Sequence, residues 1–172
     1  MHRSLQLFPG SLCAAVSAIE VEIAFRSDWL ALRYLIAGKI ADVRLPHAAS
    51  SERANNLWQH TCFEAFIGRT GSTEYCEFNF SPSSKWAAYS FMSYREGMRD
   101  LETAPPLIKT RATSGNFELS ASIDLKDLAL PLRMGLAAVI EETSGHKSYW
   151  ALAHAAKPDF HCSDSFTLEL PA

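Results

Sequence analysis

The sequence predicts an all-β fold, a jelly-roll-like sandwich of two antiparallel sheets with at most one short helix. Short apolar segments, many of them alternating, recur along the chain, and turn residues separate them at the spacing typical of a sandwich or barrel. Only residues 125–130, which follow Asp124 as an N-cap, have helical character. With 172 residues, of which 48% are hydrophobic and 20% charged, the chain is predicted to form one domain over residues 1–172.

Nine segments have the composition of β-strands. Residues 16–25 nearly alternate, and residues 30–36 alternate until Gly38 ends the run. The remaining candidates are residues 62–67, 75–80, 86–92, 117–123, 136–142, 148–153 and 166–170. Residues 101–115, which contain a Pro-Pro pair, are predicted to form one long loop. So many strands joined over long distances in the sequence favour two packed antiparallel sheets.

Composition and charge argue against two classes of partner. The chain has 16 Lys and Arg against 19 Asp and Glu. It therefore offers no basic patch, and we expect no nucleic-acid partner. No window approaches the ~18 uninterrupted apolar residues of a membrane helix, so we expect no membrane partner either.

The N-terminus and the cysteines bear on localisation. The first 18 residues superficially resemble a secretory signal peptide, but Gln6, Pro9 and Gly10 interrupt the apolar run. The four cysteines are scattered and form no Cys-x-x-Cys pair, so we expect reduced, structural thiols. Both features favour a cytoplasmic protein, with secretion as the alternative.

Two adjacent strands place acidic residues on one sheet face. We assign residues 68–73 to the loop between them, so that Ile67 pairs with Glu74. In this register Glu64 lies directly across from Glu77 on the polar face. Like charges opposite each other destabilise a sheet, and a ligand or cation is one means of neutralising them. A solvated outer face is the structural alternative.

The next turn, at residues 81–84, is rich in Ser and contains a Pro. It places Trp86 beside Asn79 on the polar face. It also assigns Tyr89 and Phe91 to the core. The polar face then carries an aromatic ring, an amide and two carboxylates. Sugar sites need this mixture, because rings stack on the apolar face of a pyranose while planar polar groups bind its hydroxyls.

A second hairpin follows if residues 143–147 form its loop. Glu141 then pairs with Tyr149, and we place this pair near the ligand. Trp150 lies on the opposite face and is expected in the core.

The sequence contains no recognisable catalytic motif. His146, His154 and His161 match no zinc spacing. Glu64 and Glu77 stand side by side on a hairpin, whereas the two carboxyl groups of a glycosidase flank the bond that they cleave. We therefore predict a protein that is not an enzyme and has no catalytic residues.

Four runs of sequence carry a family resemblance. They are LWQHTCFEAFI at residues 57–67, YCEFNFSP at 75–82, SYWALAH at 148–154 and PDFH at 158–161. These runs resemble the DOMON-like superfamily, and more closely its bacterial branch related to family 9 carbohydrate-binding modules. The resemblance spans nearly the whole chain, residues 15–170.

The resemblance implies a jelly-roll-like sandwich, with sugar binding in the carbohydrate modules and haem binding in some other DOMON relatives. By motif position, Trp58, Glu64 and Asn79 correspond to ligand contacts. The sugar modules tend to carry an acidic residue just after the Trp, and Gln59-His60-Thr61 stands there instead. This departure argues against a structural calcium ion.

We therefore predict a non-catalytic module that binds a carbohydrate or another small molecule on a concave sheet face, without a cofactor. The candidate ligand-binding residues are Trp58, Glu64, Glu77, Asn79, Trp86, Glu141, Tyr149 and His154. One alternative is a module that binds haem or a metal ion such as calcium, with haem ligands drawn from His60, His154, Met92 and Met98. The other is a protein-interaction sandwich without a small-molecule site.

Overall fold

The computed structural model describes residues 1–26, 28–126, 128 and 131–170. Over these residues the protein is all-β, as the sequence predicts, and short 3₁₀ turns at Ile40–Asp42, Leu57–Gln59 and Ser163–Ser165 are its helical segments. The strands are β1 His2–Leu7, β2 Val16–Arg26, β3 Trp29–Gly38, β4 Cys62–Arg69, β5 Tyr75–Phe80, β6 Trp86–Phe91, β7 Arg99–Asp100, β8 Leu107–Ala112, β9 Asn116–Asp124, β10 Leu132–Glu141, β11 Lys147–Ala151 and β12 Leu168–Leu170.

The strands pair antiparallel in the order β7-β6-β5-β4-β10-β11-β1-β2-β3-β9-β8, and β12 pairs with β10. Strand β1 joins the two layers, because its first residues pair with β2 and its last two pair with β11. We call β1, β2, β3, β9 and β8 sheet A. We call β7, β6, β5, β4, β10, β11 and β12 sheet B.

The core lies between the two sheets. Strands β2, β3 and β9 alternate buried and more exposed residues, so one face of sheet A packs inward while the other carries polar side chains. Tyr34 on β3 spans the two layers, since its hydroxyl donates to the backbone oxygen of Glu64 at 2.8 Å. Its ring packs against Phe63 with 5.0 Å between ring centres. These contacts hold β4 against sheet A.

At its centre, sheet B is buried on both faces. Side chains on its outer face are therefore covered as well, and the candidate site lies among them. Strands β4 and β5 are buried over nearly their whole length, without the alternation of sheet A. Phe160 and Phe166, from the segment between β11 and β12, cover part of the outer face. Gly135 on β10 leaves room for this cover, because a Cβ atom there would lie 2.8 Å from the Phe166 ring. The outer face of sheet B thus has its own apolar cluster.

All nine predicted strands are present, with ends shifted by a few residues, and the structure adds β1, β7 and β8. Strand β8 overturns part of the predicted loop at residues 101–115. Its side chains are mostly exposed and show no apolar alternation, so the sequence gives no strand pattern there. Three positions of the helical turn predicted at 125–130, residues 127, 129 and 130, lie outside the described residues. No helix among the described residues is long and apolar enough to cross a bilayer.

Candidate ligand-binding cavity

A cavity of about 630 Å³ opens on the outer face of sheet B. Side chains from its central strands form the floor, and the segments before β4, after β6 and after β11 form the walls. The cavity is lined by Asn55, Asn56, Trp58, Glu64, Glu77, Tyr89, Phe91, Arg95, Met98, Asp100, Val139, Tyr149, Pro158, Phe160 and His161. The fold therefore gathers residues that are more than 100 positions apart in the sequence.

The two predicted glutamates share the cavity floor, although their pairing differs from the prediction. Glu64 pairs with Asn79, and Phe66 pairs with Glu77, so the predicted register is wrong by two residues. The error comes from Gly68, which the sequence places in the loop and the structure keeps in β4. Because side chains alternate with a period of two, a two-residue shift leaves both carboxyls on one face. They are diagonal neighbours, whose Cβ atoms typically lie ~7–8 Å apart.

Trp86 lies on the other face of sheet B, so its predicted place at the site is wrong. Phe80 pairs with Trp86, one residue away from the predicted register. The turn holds five residues instead of four, and Ser84 adopts a left-handed φ of 76° within it. A one-residue shift exchanges the faces, so Trp86 packs in the core between the sheets. Tyr89 and Phe91, which the sequence assigns to the core, line the cavity.

Glu64 is the most unusual group in the cavity. Its side chain is buried, with 3% of the residue's surface exposed, and its Oε1 makes no hydrogen bond to any described residue. Burial raises the pKa of this carboxyl well above its ordinary value, and the charge of Glu77 raises it further. Arg95 opposes both effects. A buried polar atom without a partner costs stability, and the side chain that carries it lines the cavity.

The side chain of Asn79 holds the carboxyl of Glu77 in place. The side-chain amide of Asn79 donates to Glu77 Oε1 at 2.7 Å, and the Cys62 thiol lies 3.6 Å from Asn79 Oδ1. Burial raises the pKa of Glu77, although the Asn79 hydrogen bond and the charge of Arg95 lower it. Asn79 shares the face of β5 with Glu77 and positions its carboxyl, but it does not line the cavity, where the sequence places it as a ligand contact.

His161 presents a neutral imidazole to Glu77. The backbone N–H of Arg95 donates to the Tyr75 hydroxyl at 3.2 Å, and this hydroxyl lies 2.8 Å from His161 Nδ1. In the tautomer in which the Tyr75 hydroxyl donates to Nδ1, the proton of the neutral ring lies on Nε2. Burial lowers the pKa of His161 to about 4, with a contribution from Arg95. His161 Nε2 lies 3.7 Å from Glu77 Oε2 and so offers an N–H group to the cavity.

An ion pair joins the two segments that form one wall. The Arg95 guanidinium lies 3.0 Å from the Asp159 carboxylate, and the Tyr94 hydroxyl donates to the same carboxylate. Arg95 has a left-handed backbone with φ of 56°, an uncommon conformation for a residue with a side chain. The positive charge beside the two glutamates is therefore already balanced by Asp159.

Aromatic rings form the rest of the walls. Tyr149 lines the cavity as predicted, opposite Val139 instead of Glu141. Tyr89 is fixed by a 2.8 Å hydrogen bond from its hydroxyl to the side-chain oxygen of Asn55. Trp58 lies at the mouth with 53% of its surface exposed. The cavity therefore combines apolar flat surfaces with a polar floor.

Two predicted site residues lie outside the cavity. Glu141 accepts from Arg44 Nη1 at 3.0 Å and lies 2.7 Å from Nδ1 of His60, so its carboxylate is occupied. His154 Nε2 lies 2.7 Å from the backbone oxygen of Gln6. Neither residue lines the cavity, and we correct their predicted place at the ligand.

The described residues contain no group of three or more His, Cys, Asp or Glu side chains that could hold a metal ion. Of the haem ligands considered from the sequence, Met98 lines the cavity and His60 and His154 do not. The two histidines make the hydrogen bonds given above.

Sequence reasoning missed most of the cavity walls. Asn55 and Arg95 lie in segments without periodicity, Phe160 was noted only for the family resemblance, and His161 was otherwise considered only as a zinc ligand. Tyr89 and Phe91 were placed on the wrong face by the one-residue error in the turn. A turn of five residues instead of four predicts Tyr89 and Phe91 on the cavity face.

No family model and no curated protein matches this chain. Among solved structures, the chain is similar to the crystal structure of a "putative carbohydrate-binding protein" from Bacteroides uniformis ATCC 8492. The TM-score is 0.69 at 14% sequence identity, and the match covers 96% of this chain and 83% of the other. At this identity the similarity shows a shared fold, and membership of the DOMON-like superfamily stays a prediction.

Proposed function

We propose that this protein binds a carbohydrate of one or two sugar units in the cavity on sheet B and does not cleave it. The observation that carries this proposal is the pair of buried carboxyls, Glu64 and Glu77, at the base of an aromatic-walled cavity. Glu64 Oε1 has no described partner there. Binding sites commonly combine such apolar walls with a few convergent polar groups.

The chemistry of the cavity matches that of a sugar. Sugar hydroxyls both donate and accept hydrogen bonds, and the carboxyl groups of Glu64 and Glu77 can accept from them. The rings of Trp58, Tyr89 and Tyr149 offer flat surfaces for the C–H groups of a pyranose. A volume of about 630 Å³ lies within the range of small-molecule sites.

The placement of the carboxyls favours binding over hydrolysis. Glu64 and Glu77 lie on adjacent strands and on the same face of the sheet, so both approach a ligand from below. Glycosidases place their two carboxyl groups on opposite sides of the bond that they cleave. The description of the structural neighbour as a putative carbohydrate-binding protein supports the same class of function.

A matched pair of tryptophan variants tests the proposal. Trp58 at the cavity mouth and Trp29 on sheet A have nearly equal exposures of 53% and 54%, so Trp58→Ala and Trp29→Ala should perturb folding equally. We expect Trp58→Ala to weaken sugar binding by about three- to tenfold in calorimetric titrations, and Trp29→Ala to leave it unchanged. Equal affinities for both variants across a panel of mono- and disaccharides would place the ligand elsewhere.

A further inference from the structure

We infer that the ligand carries a protonated amine, which Glu64 and Glu77 bind together, so that this cavity prefers amino sugars to neutral sugars. This inference rests on the proposed carbohydrate function and names its substrate class. It starts from the buried, unpartnered Oε1 of Glu64 on the cavity floor.

The charges around the floor leave the two carboxyls without a cation of their own. Among the described residues that line the cavity, Arg95 is the one with a permanent positive charge, and its guanidinium pairs with Asp159. His161 is neutral at physiological pH because burial lowers its pKa to about 4. A cationic ligand would supply the missing charge.

An ammonium group fits the available acceptors better than a hydroxyl does. Asn79 occupies Oε1 of Glu77, which leaves Oε2 of Glu77 and the carboxyl of Glu64, which lines the cavity, to receive donors. A hydroxyl has one proton to donate and can satisfy one of these oxygens. An ammonium group has three and can satisfy both with charge-assisted hydrogen bonds. The aromatic rings of Tyr89 and Phe91, which line the cavity, add attraction for a cation.

Binding of a cation is coupled to proton release from the pair. In the free protein, burial raises the pKa of both carboxyls and the charge of Glu77 raises that of Glu64 further, so the pair holds a proton more tightly than two exposed carboxyls do. An ammonium group favours the ionised forms and expels that proton to the buffer. The titratable and charged groups around the pair on its own face are Cys62, Tyr75, Tyr89, Arg95, Asp100, Tyr149, Asp159 and His161, and Tyr34 approaches from the opposite face.

The test compares sugars that differ only in one group. Glucosamine, galactosamine and mannosamine are titrated at pH 6 against glucose, galactose and mannose, each in two buffers of different ionisation enthalpy. We expect one amino sugar to bind about tenfold more tightly than its neutral partner. We also expect the apparent enthalpy to differ between buffers in the sense of proton release for the amino sugar, and to agree between them for the neutral sugar.

Variants show whether the preference arises at this pair. Glu64→Gln keeps the shape and removes the charge, so the tenfold preference and the proton release should both disappear. Glu77→Gln should have the same effect and serves if Glu64→Gln does not fold. Glu20→Gln, on sheet A, is the control and should keep both.

The outcomes separate this inference from the proposed function. Neutral sugars that bind as tightly as amino sugars overturn the amine preference and leave carbohydrate binding in place. Binding of a simple amine such as cyclohexylamine, with no binding of any sugar, overturns the carbohydrate proposal and supports amine recognition. No binding by any probe overturns both. An amine preference that survives in both Gln variants also contradicts the inference.

Discussion

Glu64 has a side chain that is unfavourable to bury and yet lies at the centre of the sheet. Its neighbours on β4 are apolar, its side chain lines the cavity, and its Oε1 atom is fully buried without a described partner. An isolated buried carboxylate is expensive, and proteins reduce this expense by keeping the group protonated or by pairing it with a ligand. Groups with perturbed pKa values that lie in a cleft are candidates for function. Glu64 meets both conditions.

The raised pKa of Glu64 predicts a specific dependence of stability on pH. The folded protein holds this proton more tightly than the unfolded chain, so the stabilising contribution is fully present below the ordinary pKa of 4.5. It is lost as the pH rises through the raised value. We expect the free energy of unfolding, measured by urea denaturation from pH 5 to 9, to fall less steeply in Glu64→Gln than in the wild type.

The control for this experiment is Glu102→Gln, at an exposed position between β7 and β8, which should follow the wild-type curve. His161 titrates in the opposite sense, because its lowered pKa of about 4 reduces stability as the pH falls below 6.5. Its contribution is common to all three proteins and cancels in the comparison. Parallel curves for Glu64→Gln and the wild type would contradict the burial of an ionisable Glu64.

At the scale of single elements, turn lengths decide which side chains reach the cavity. The turn between β5 and β6 places Tyr89 on the cavity face because it holds five residues, and a backbone hydrogen bond from Ser81 N to Lys85 O closes it. The conformation of a turn, or of the end of a strand, depends on one or two residues with unusual backbone angles. Ser84 has a φ of 76°, and Gly38 at the end of β3 has a φ of 155°.

Gly38, the last residue of β3, allows the close packing at the end of that strand to be tested. A Cβ atom there would lie 2.1 Å from the backbone oxygen of Ala15, and the backbone has a positive φ that only Gly adopts easily. We expect Gly38→Ala to lower the free energy of unfolding by more than about 2 kcal/mol. Gly115→Ala meets no atom within 4 Å and should change it by less than about 0.5 kcal/mol in the same urea denaturation. Equal effects would show that the close approach at Gly38 is wrong.

At the scale of the whole molecule, β1 holds the two sheets together. Its first residues pair with β2 in sheet A, and Gln6 and Leu7 pair with β11 in sheet B. Leu5 is buried in the core between the layers. Because an unpaired strand edge is a template for association, β1 also protects the edges of β2 and β11.

Removal of β1 should therefore affect both sheets together. We expect a protein lacking residues 2–7 to unfold at least about 10 °C below the full chain and to form oligomers in size-exclusion chromatography. The control replaces the exposed side chains of His2, Arg3 and Ser4 by Ala and keeps the backbone pairing. This triple variant should remain monodisperse to the same degree as the wild type. A deletion protein that melts at the wild-type temperature would exclude this role for β1.

The sequence by itself determined the fold class and most of the strands. Alternation, turn residues and the scarcity of helical periodicity depend on local physics, since a strand that buries one face shows that face in its pattern. The same local pattern placed Glu64 and Glu77 on one face even though their register was wrong by two. Strand β8 was not predicted, because an exposed edge strand needs no apolar face and so shows no apolar alternation in its sequence.

The tertiary structure alone decided which residues form the cavity. Whether Trp86 or Tyr89 faces the ligand depends on one residue in a turn, and the alternation of strands turns that single residue into a change of face. Arg95 and His161 reach the floor through segments between strands, where no periodicity indicates direction. A site built across the chain is fixed by packing between distant segments, which a local pattern cannot encode.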